Sequence, residues 1–266
     1  MLKPKKNLGQ NFLVDKNKIN EIINILPNLK NKTVIEIGPG TGNLTNKLLE
    51  NSNKVIAIEI DEDMINLIKN NQIINKRNLI LIHSDILKIN LNKLIVNEND
   101  VYLISNLPYY ISTKIIFEMF KYPKISIFAI MLQKELVDRI FANSNTKKYG
   151  RLTIAIGSLF SLEKKINVPK ECFKPIPKVD SGFIILKRKK INFDYNLFLL
   201  FIKDCFAKKR KTLLNSLKIT ENPYFEFVKL YLIRNKFKLN IRAEQILIED
   251  YLKIWKEIEN AKFKNK

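Results

Sequence analysis

Short apolar runs alternate with stretches of helical periodicity between residues 33 and 131, and this alternation restricts the chain more than any other feature. The strand-like runs fall at 33–37, 54–58, 79–83, 101–105 and 125–131, and helical spacing fills 44–49 and 64–70. Strands joined through helices must run parallel with right-handed crossovers, which predicts an α/β sheet with helices on both faces. Ahead of it, Asp15 predicts an N-cap for a helix carrying Ile19, Ile22, Ile23 and Leu26. After it come a helix at 134–141 and two closing strands at 168–173 and 182–188, joined by the proline-punctuated FKPIPKVDS. Beyond 191 only helical patterns remain, on Phe198, Phe201, Ile202, Cys205, then Leu213, Leu214, Leu217, then Tyr251, Leu252, Trp255 and Ile258. The expected organisation is a Rossmann-like α/β domain at 1–190 and a small helical domain at 191–266.

In such a sheet ligands bind at the carboxyl ends of the strands, so the residues there carry the chemistry. Asn106-Leu107-Pro108-Tyr109 follows the run at 101–105. An amide, a proline-stiffened backbone and an aromatic ring suit a flat, amine-bearing guest: the amide oxygen and a backbone carbonyl accept from NH2, and the ring stacks. Glu36-Ile37-Gly38-Pro39-Gly40-Thr41-Gly42 follows the first run and opens a helix, where backbone and ligand approach closely. A dinucleotide fingerprint would need a small residue where Asn43 stands, and one mononucleotide half precedes the helical tail, which disfavours NAD and FAD. Glu59 ends the second run near the spacing at which an acid takes ribose hydroxyls, and Asp85 after the third could receive an adenine amine. An acidic, glycine-lined site suits a cationic nucleoside, and S-adenosylmethionine is the leading cofactor. His83, inside the third run, is expected to be a core histidine.

Lys and Arg total 47 against 26 Asp and Glu, a net charge of +21 that favours a polyanionic partner, most simply RNA or DNA. Cys172 and Cys205 lack CxxC spacing and His83 is the sole histidine, so neither a zinc site nor a disulfide framework is expected. No apolar run approaches a membrane span and the basic start leads into no apolar signal region, so a soluble protein of a reducing compartment is expected.

Six segments in order, KKNLGQNFL at 5–13, EIGPGTGNLT at 36–45, AIEID around Glu59, Ser84-Asp85, SNLPYYIST at 105–113 and FKPIPKVDSG at 173–182, make the chain resemble the ribosomal RNA adenine N6-dimethyltransferases over nearly its whole length. The resemblance implies a class I methyltransferase fold that binds S-adenosylmethionine through Asn11, Leu13, Gly38, Glu59, Asp85 and Asn106, with Gly40 beside them. It implies that Asn106 and the Leu107 carbonyl accept the protons of an adenine amine, and that Tyr109 and Phe173 stack on its two faces. The NLPY form, a basic helix within FAKKRKTLLNSL at 206–217, and RAEQI at 242–246 are similar to the branch acting on the small ribosomal subunit. Lys208, Lys209, Arg210 and Lys211, with Arg188, Lys189 and Lys190, would meet RNA phosphates. A cytoplasmic, metal-free monomer acting on a small-subunit precursor is implied. The alternatives are an erythromycin-resistance enzyme of large-subunit RNA, or a non-catalytic assembly factor.

Overall fold

The computed structural model describes residues 5, 8–72, 74, 77–208 and 210–264. In chain order the elements are β1 (Phe12–Leu13), α1 (Lys16–Ile25), β2 (Thr33–Ile37), α2 (Asn43–Asn51), β3 (Lys54–Glu59), α3 (Glu62–Asn70), β4 (Leu79–His83), α4 (Leu91–Leu94), β5 (Val101–Asn106), α5 (Ser112–Met119), β6 (Ile125–Gln133), α6 (Lys134–Ile140), α7 (Arg151–Leu159), β7 (Phe160–Val168), β8 (Phe173–Lys174), β9 (Ser181–Arg188), α8 (Tyr195–Cys205), α9 (Leu213–Ile219), α10 (Phe225–Arg234) and α11 (Ile248–Lys264). Packing divides the chain into one unit of 1–134 and 162–188 and a second of 135–161 and 189–266.

The first unit is built on a sheet ordered β4-β3-β2-β5-β6-β9-β7 among the described residues. β4, β3, β2, β5 and β6 run parallel, and β9 returns antiparallel to β6. All five residues of β2 are buried, as a strand covered on both faces requires. Alternate residues Val34, Val55, Ala57, Tyr102 and Ile104 pack on one face with Ile19 and Ile22 of α1 and Leu44 and Leu48 of α2. Asp15 caps α1 as expected, accepting the Lys18 N–H at 2.8 Å. The closing strand expected at 168–173 is not there. β7 runs earlier, through 160–168, and stops at Pro169, which cannot continue a ladder; a 3-10 turn at Lys170–Cys172 then leads to β8. β8 pairs antiparallel with β1, setting Leu13 opposite Phe173.

The second unit has an aromatic core in which the Phe201 and Trp255 rings stack with centroids 5.6 Å apart, flanked by Phe198 and Tyr251. The division expected at 190/191 leaves 135–161 in the α/β domain, whereas packing groups it with the C-terminal helices. The reason is local: Tyr149 and Ile154 share that aromatic core, and α7 and α11 approach so closely that a Cβ at Gly157 would lie 2.5 Å from Ile248 Cδ1.

Candidate active site

The carboxyl ends of β2, β3, β4 and β5 open onto a cavity of about 290 Å³. Its walls are the entry segment 8–13, the glycine loop, Glu59 and Ile60, residues 84–87 and residues 106–111. In a chain of net charge +21 its described lining holds Glu36, Glu59 and Asp85 and no Lys, Arg or His. Such a lining attracts a cation and has nothing to neutralise a phosphate.

The two buried acids differ in their partners. Glu59, 6% exposed, accepts N–H bonds from Gly40 at 3.1 Å, Ile60 at 2.9 Å and Asp61 at 3.0 Å. Burial raises its pKa and these three donors oppose the rise, so the charged form keeps support. Glu36, 2% exposed, has its Oε2 without a partner among the described residues. Burial, resisted by the Thr45 hydroxyl and reinforced by the charge of Glu59, pushes its pKa up to about 8. Burial thus pushes both carboxyls up, and only Glu59 has three backbone N–H donors resisting the rise. Asp85 accepts the Leu87 N–H at 2.9 Å and so starts the short 3-10 turn at Ile86–Lys88 on the cavity rim.

Gly38 and Gly40 adopt φ of +67° and +55°, a region that side chains strain. A Cβ on Gly40 would also lie 2.7 Å from Phe12 Cδ1, so the loop and the entry segment fit only with glycine there. Asn43, which counts against a dinucleotide, ties the same segment down by donating to the Leu13 carbonyl at 2.9 Å.

Asn106 ends β5 and donates its Nδ2–H to the Asn11 carbonyl at 2.9 Å. An amide turned over would set oxygen against oxygen there, so the contact fixes the amide's sense. Its Oδ1 is buried without a partner among the described residues. The next side chain, Leu107, is 1% exposed and anchors this backbone beside the cavity. The Tyr109 hydroxyl meets Ser181 Oγ at 2.5 Å, so the FKPIPKVDS segment holds that ring in the cavity wall. Asn11, Leu13, Gly38, Gly40, Glu59, Asp85, Asn106, Leu107 and Tyr109 thus all line one space.

Phe173 does not. It is 0% exposed, registered with Leu13 across the β1/β8 pair and packed in the core, so the second base face has no Phe173 ring in this arrangement. Nor is His83 a core residue; it is exposed on the edge strand β4, with Nε2 3.2 Å from the Ile60 carbonyl. Lys208, Arg210 and Lys211 are exposed in the turn between α8 and α9, not in a helix, because Thr212 caps α9 only after them. Lys209 lies outside the described residues. Arg188 is committed elsewhere: its guanidinium donates to the Ile125 carbonyl at 2.9 Å and lies over the Phe128 ring. Sequence reasoning missed Glu36, Gln10, Ile60, Ile86 and Tyr110 as lining residues. Glu36, Gln10, Ile60 and Tyr110 lie inside the motif segments, whereas Ile86 carried no signal. In the second unit a separate groove gathers Arg139, Lys147, Lys148, Arg151 and Lys203 beside Glu135 and Glu244.

The cavity fits S-adenosylmethionine on chemistry: carboxylates for hydroxyls and a cation, side-chain-free backbone at Gly38, apolar Ile60 and Ile86 for a ring, and the orphaned Asn106 Oδ1 for an amine. A family model described as Ribosomal RNA adenine dimethylase matches residues 1–260. The chain is 40% identical to a Ribosomal RNA small subunit methyltransferase A of Mycoplasma mobile, over 96% of this chain and 98% of that one. It is 39% identical to the protein of that name from Phytoplasma australiense, over 99% and 94%. The fold superposes on a crystallised dimethyladenosine transferase from Plasmodium falciparum with a TM-score of 0.75 at 29% identity, covering 93% of this chain and 97% of that one. The 23S rRNA methyltransferase ErmE shares the fold, with a TM-score of 0.70 at 23% identity over 94% and 100%. With these cavity walls, this topology and that whole-length match, the chain belongs to the ribosomal RNA adenine dimethylase family.

Proposed function

We propose that this chain transfers methyl groups from S-adenosylmethionine to the N6 amine of adenines in small-subunit ribosomal RNA, twice at each base. The observation that carries this reading is the buried Oδ1 of Asn106, without a partner among the described residues, at the wall of an acidic cavity whose described lining holds no Lys, Arg or His. When bound, S-adenosylmethionine supplies a methyl group on a positively charged sulfur, open to in-line attack by nitrogen.

The chain's own residues do the rest. Glu59 holds ribose hydroxyls with the lone pairs its three N–H donors leave, and Asp85 takes the adenine amine. An adenine N6 is a poor nucleophile because its lone pair is delocalised into the ring. Asn106 Oδ1 and the Leu107 carbonyl accept its protons, drawing the nitrogen toward tetrahedral shape, so that positioning and electrostatics carry the catalysis. Tyr109, pinned by Ser181, stacks on the flipped base, a contact worth roughly 1 to 3 kcal/mol. No side chain takes the proton; it leaves to water from the cationic product. In the second unit Lys208 to Lys211 and the groove of Arg139, Lys147, Arg151 and Lys203 meet phosphates and set the register on folded RNA.

Small-subunit RNA is favoured over large-subunit RNA by the names of the relatives near 40% identity. No described helix is long and apolar enough to cross a membrane, and the protein works as a metal-free monomer in the cytoplasm. Incubating pure protein with labelled S-adenosylmethionine and methyl-free small subunits tests the whole reading. Label in dimethyladenine is expected; subunit binding without label would make the chain an assembly factor, and label in naked large-subunit RNA would move it to the resistance branch.

A further inference from the structure

Three hydrogen bonds join the entry segment to the end of β5 and to the starts of α2 and α3. The Asn11 carbonyl accepts from Asn106 Nδ2 at 2.9 Å, the Leu13 carbonyl from Asn43 Nδ2 at 2.9 Å, and Gln10 Nε2 donates to Asp61 Oδ2 at 2.6 Å. Asp61 is a rigid anchor: its side chain is 1% exposed and caps α3, with Oδ1 accepting the Asp63 N–H at 3.1 Å and Lys5 Nζ at 2.5 Å. Gln10 closes the loop by accepting the Lys5 N–H on Oε1 at 2.8 Å, while Lys5 Nζ also reaches Asp63 at 2.7 Å.

This clasp is adjacent to the atom that decides the sense of the Asn106 amide. Gln10 precedes Asn11 in the chain, so whatever places Gln10 places the Asn11 carbonyl. Among the described residues the segment is otherwise held on that side by the Asn11 Nδ2 bond to the Gly9 carbonyl at 3.0 Å and by Gly9 lying against the Tyr110 ring, since β1 pairs over two residues and begins only at Phe12. If the Asn11 carbonyl moved away, the amide could turn over and present N–H groups to an amine that needs an acceptor.

We propose that Gln10 and Asp61 are positioning residues for methyl transfer: their hydrogen bond places the Asn11 carbonyl so that Asn106 presents its oxygen to the acceptor amine, an inference that rests on the methyl-transfer reading above. The Asp61 carboxyl is consistent with this role. Burial alone would raise its pKa, yet the Lys5 and Gln10 hydrogen bonds hold it below the ordinary range, keeping an anion at the anchor.

A reciprocal exchange tests it. Gln10→Glu alone sets carboxylate against carboxylate, and Asp61→Asn alone sets an amide N–H against Gln10 Nε2. Together they restore one donor and one acceptor with the polarity reversed, while the amide oxygen at 61 keeps the cap and Lys5. Single-turnover rates on methyl-free small subunits at saturating S-adenosylmethionine, cofactor Kd by calorimetry, and hydrogen exchange of residues 10–14 in ligand-free protein are the readouts. Each single variant is expected to melt near the parent, to exchange faster over 10–14, and to lose about tenfold to a hundredfold in the saturated rate. The double variant is expected to regain both. Single variants that weaken only cofactor Kd, or a folded double variant as slow as either single, would overturn the positioning role. Parent protein that binds subunits but transfers no methyl would instead sink the methyl-transfer reading, and this inference with it.

Discussion

Glu36 and Glu59 show how far single residues reveal themselves. Both are acids at strand ends and both are buried, but Glu59 has three backbone N–H donors whereas Glu36 Oε2 has no described partner. Spacing after the glycine loop exposes Glu59 to sequence reasoning; nothing in spacing tells that Glu36 Oε2 has no partner among the described residues, which depends on where Thr45 and the loop backbone fall. The consequence is a pH effect on the ligand-free protein. Glu36 keeps its proton when folded up to about pH 8 but loses it near 4.5 when unfolded, so across that window the folded state binds more protons. Stability therefore falls as pH rises through the window, by at most about 1.4 kcal/mol per pH unit, and the penalty is absent below it. Glu36→Gln should flatten this slope in urea titrations between pH 4.5 and pH 8, and parallel curves for the two proteins would remove Glu36 as its source. Asn106→Ala tests the amide oxygen in the cavity wall that has no described partner: melting unchanged to within a few degrees, with transfer slowed by about a hundredfold or more as for loss of an oriented polar group. Phe173 misleads for the opposite reason. A motif aromatic beside prolines looks available, and only the register of β1 with β8 shows its ring enclosed.

At the scale of elements, legibility follows burial. β2, β3 and β5, almost wholly buried, announce themselves as apolar runs; β7 is an edge strand whose central residues Glu163, Lys164 and Lys165 are exposed, so its period is lost. The basic run 208–211 reads as helical because it leads into Leu213, Leu214 and Leu217, but the Thr212 cap starts the helix only after it. The glycine loop is legible as a loop, yet the reason for each glycine is not. Gly38 and Gly40 both have positive φ, and an added Cβ costs each about 1 kcal/mol or more in backbone strain. They part company in their surroundings, since that Cβ would meet Pro108 at 3.8 Å from Gly38 but Phe12 at 2.7 Å from Gly40. Gly38→Ala should weaken S-adenosylmethionine binding with a small loss of stability. Gly40→Ala should also push Phe12 and the entry segment away, lowering the melting temperature further and exposing residues 10–14 to hydrogen exchange. Equal melting temperatures for the two variants would show that the Phe12 contact yields at no cost.

Across the whole molecule, charge is sorted by partner. A net charge of +21 is plain in the composition, but composition cannot show that the described lining of the cavity in the first unit carries three acids and no base while the second unit gathers Arg139, Lys147, Lys148, Arg151 and Lys203 around one groove. The separation matters because the two substrates have opposite charge: a cationic nucleoside would be repelled by the field that attracts RNA unless local acids outweigh it at short range, where screening is weakest. Replacing Lys208, Arg210 and Lys211 with Gln should therefore act on one substrate only. Subunit affinity should fall, and the slope of log affinity against log salt should shrink by about 0.7 for each phosphate no longer neutralised, because fewer counterions are released on binding. Cofactor affinity, which the proposed reading rests on Glu59, Asp85 and the glycine loop, should stay within a factor of about two. A salt slope unchanged in the triple variant would make that turn a solvated surface and leave the phosphates to the Arg139 groove, where Lys203→Gln and Lys147→Gln would then have to flatten it.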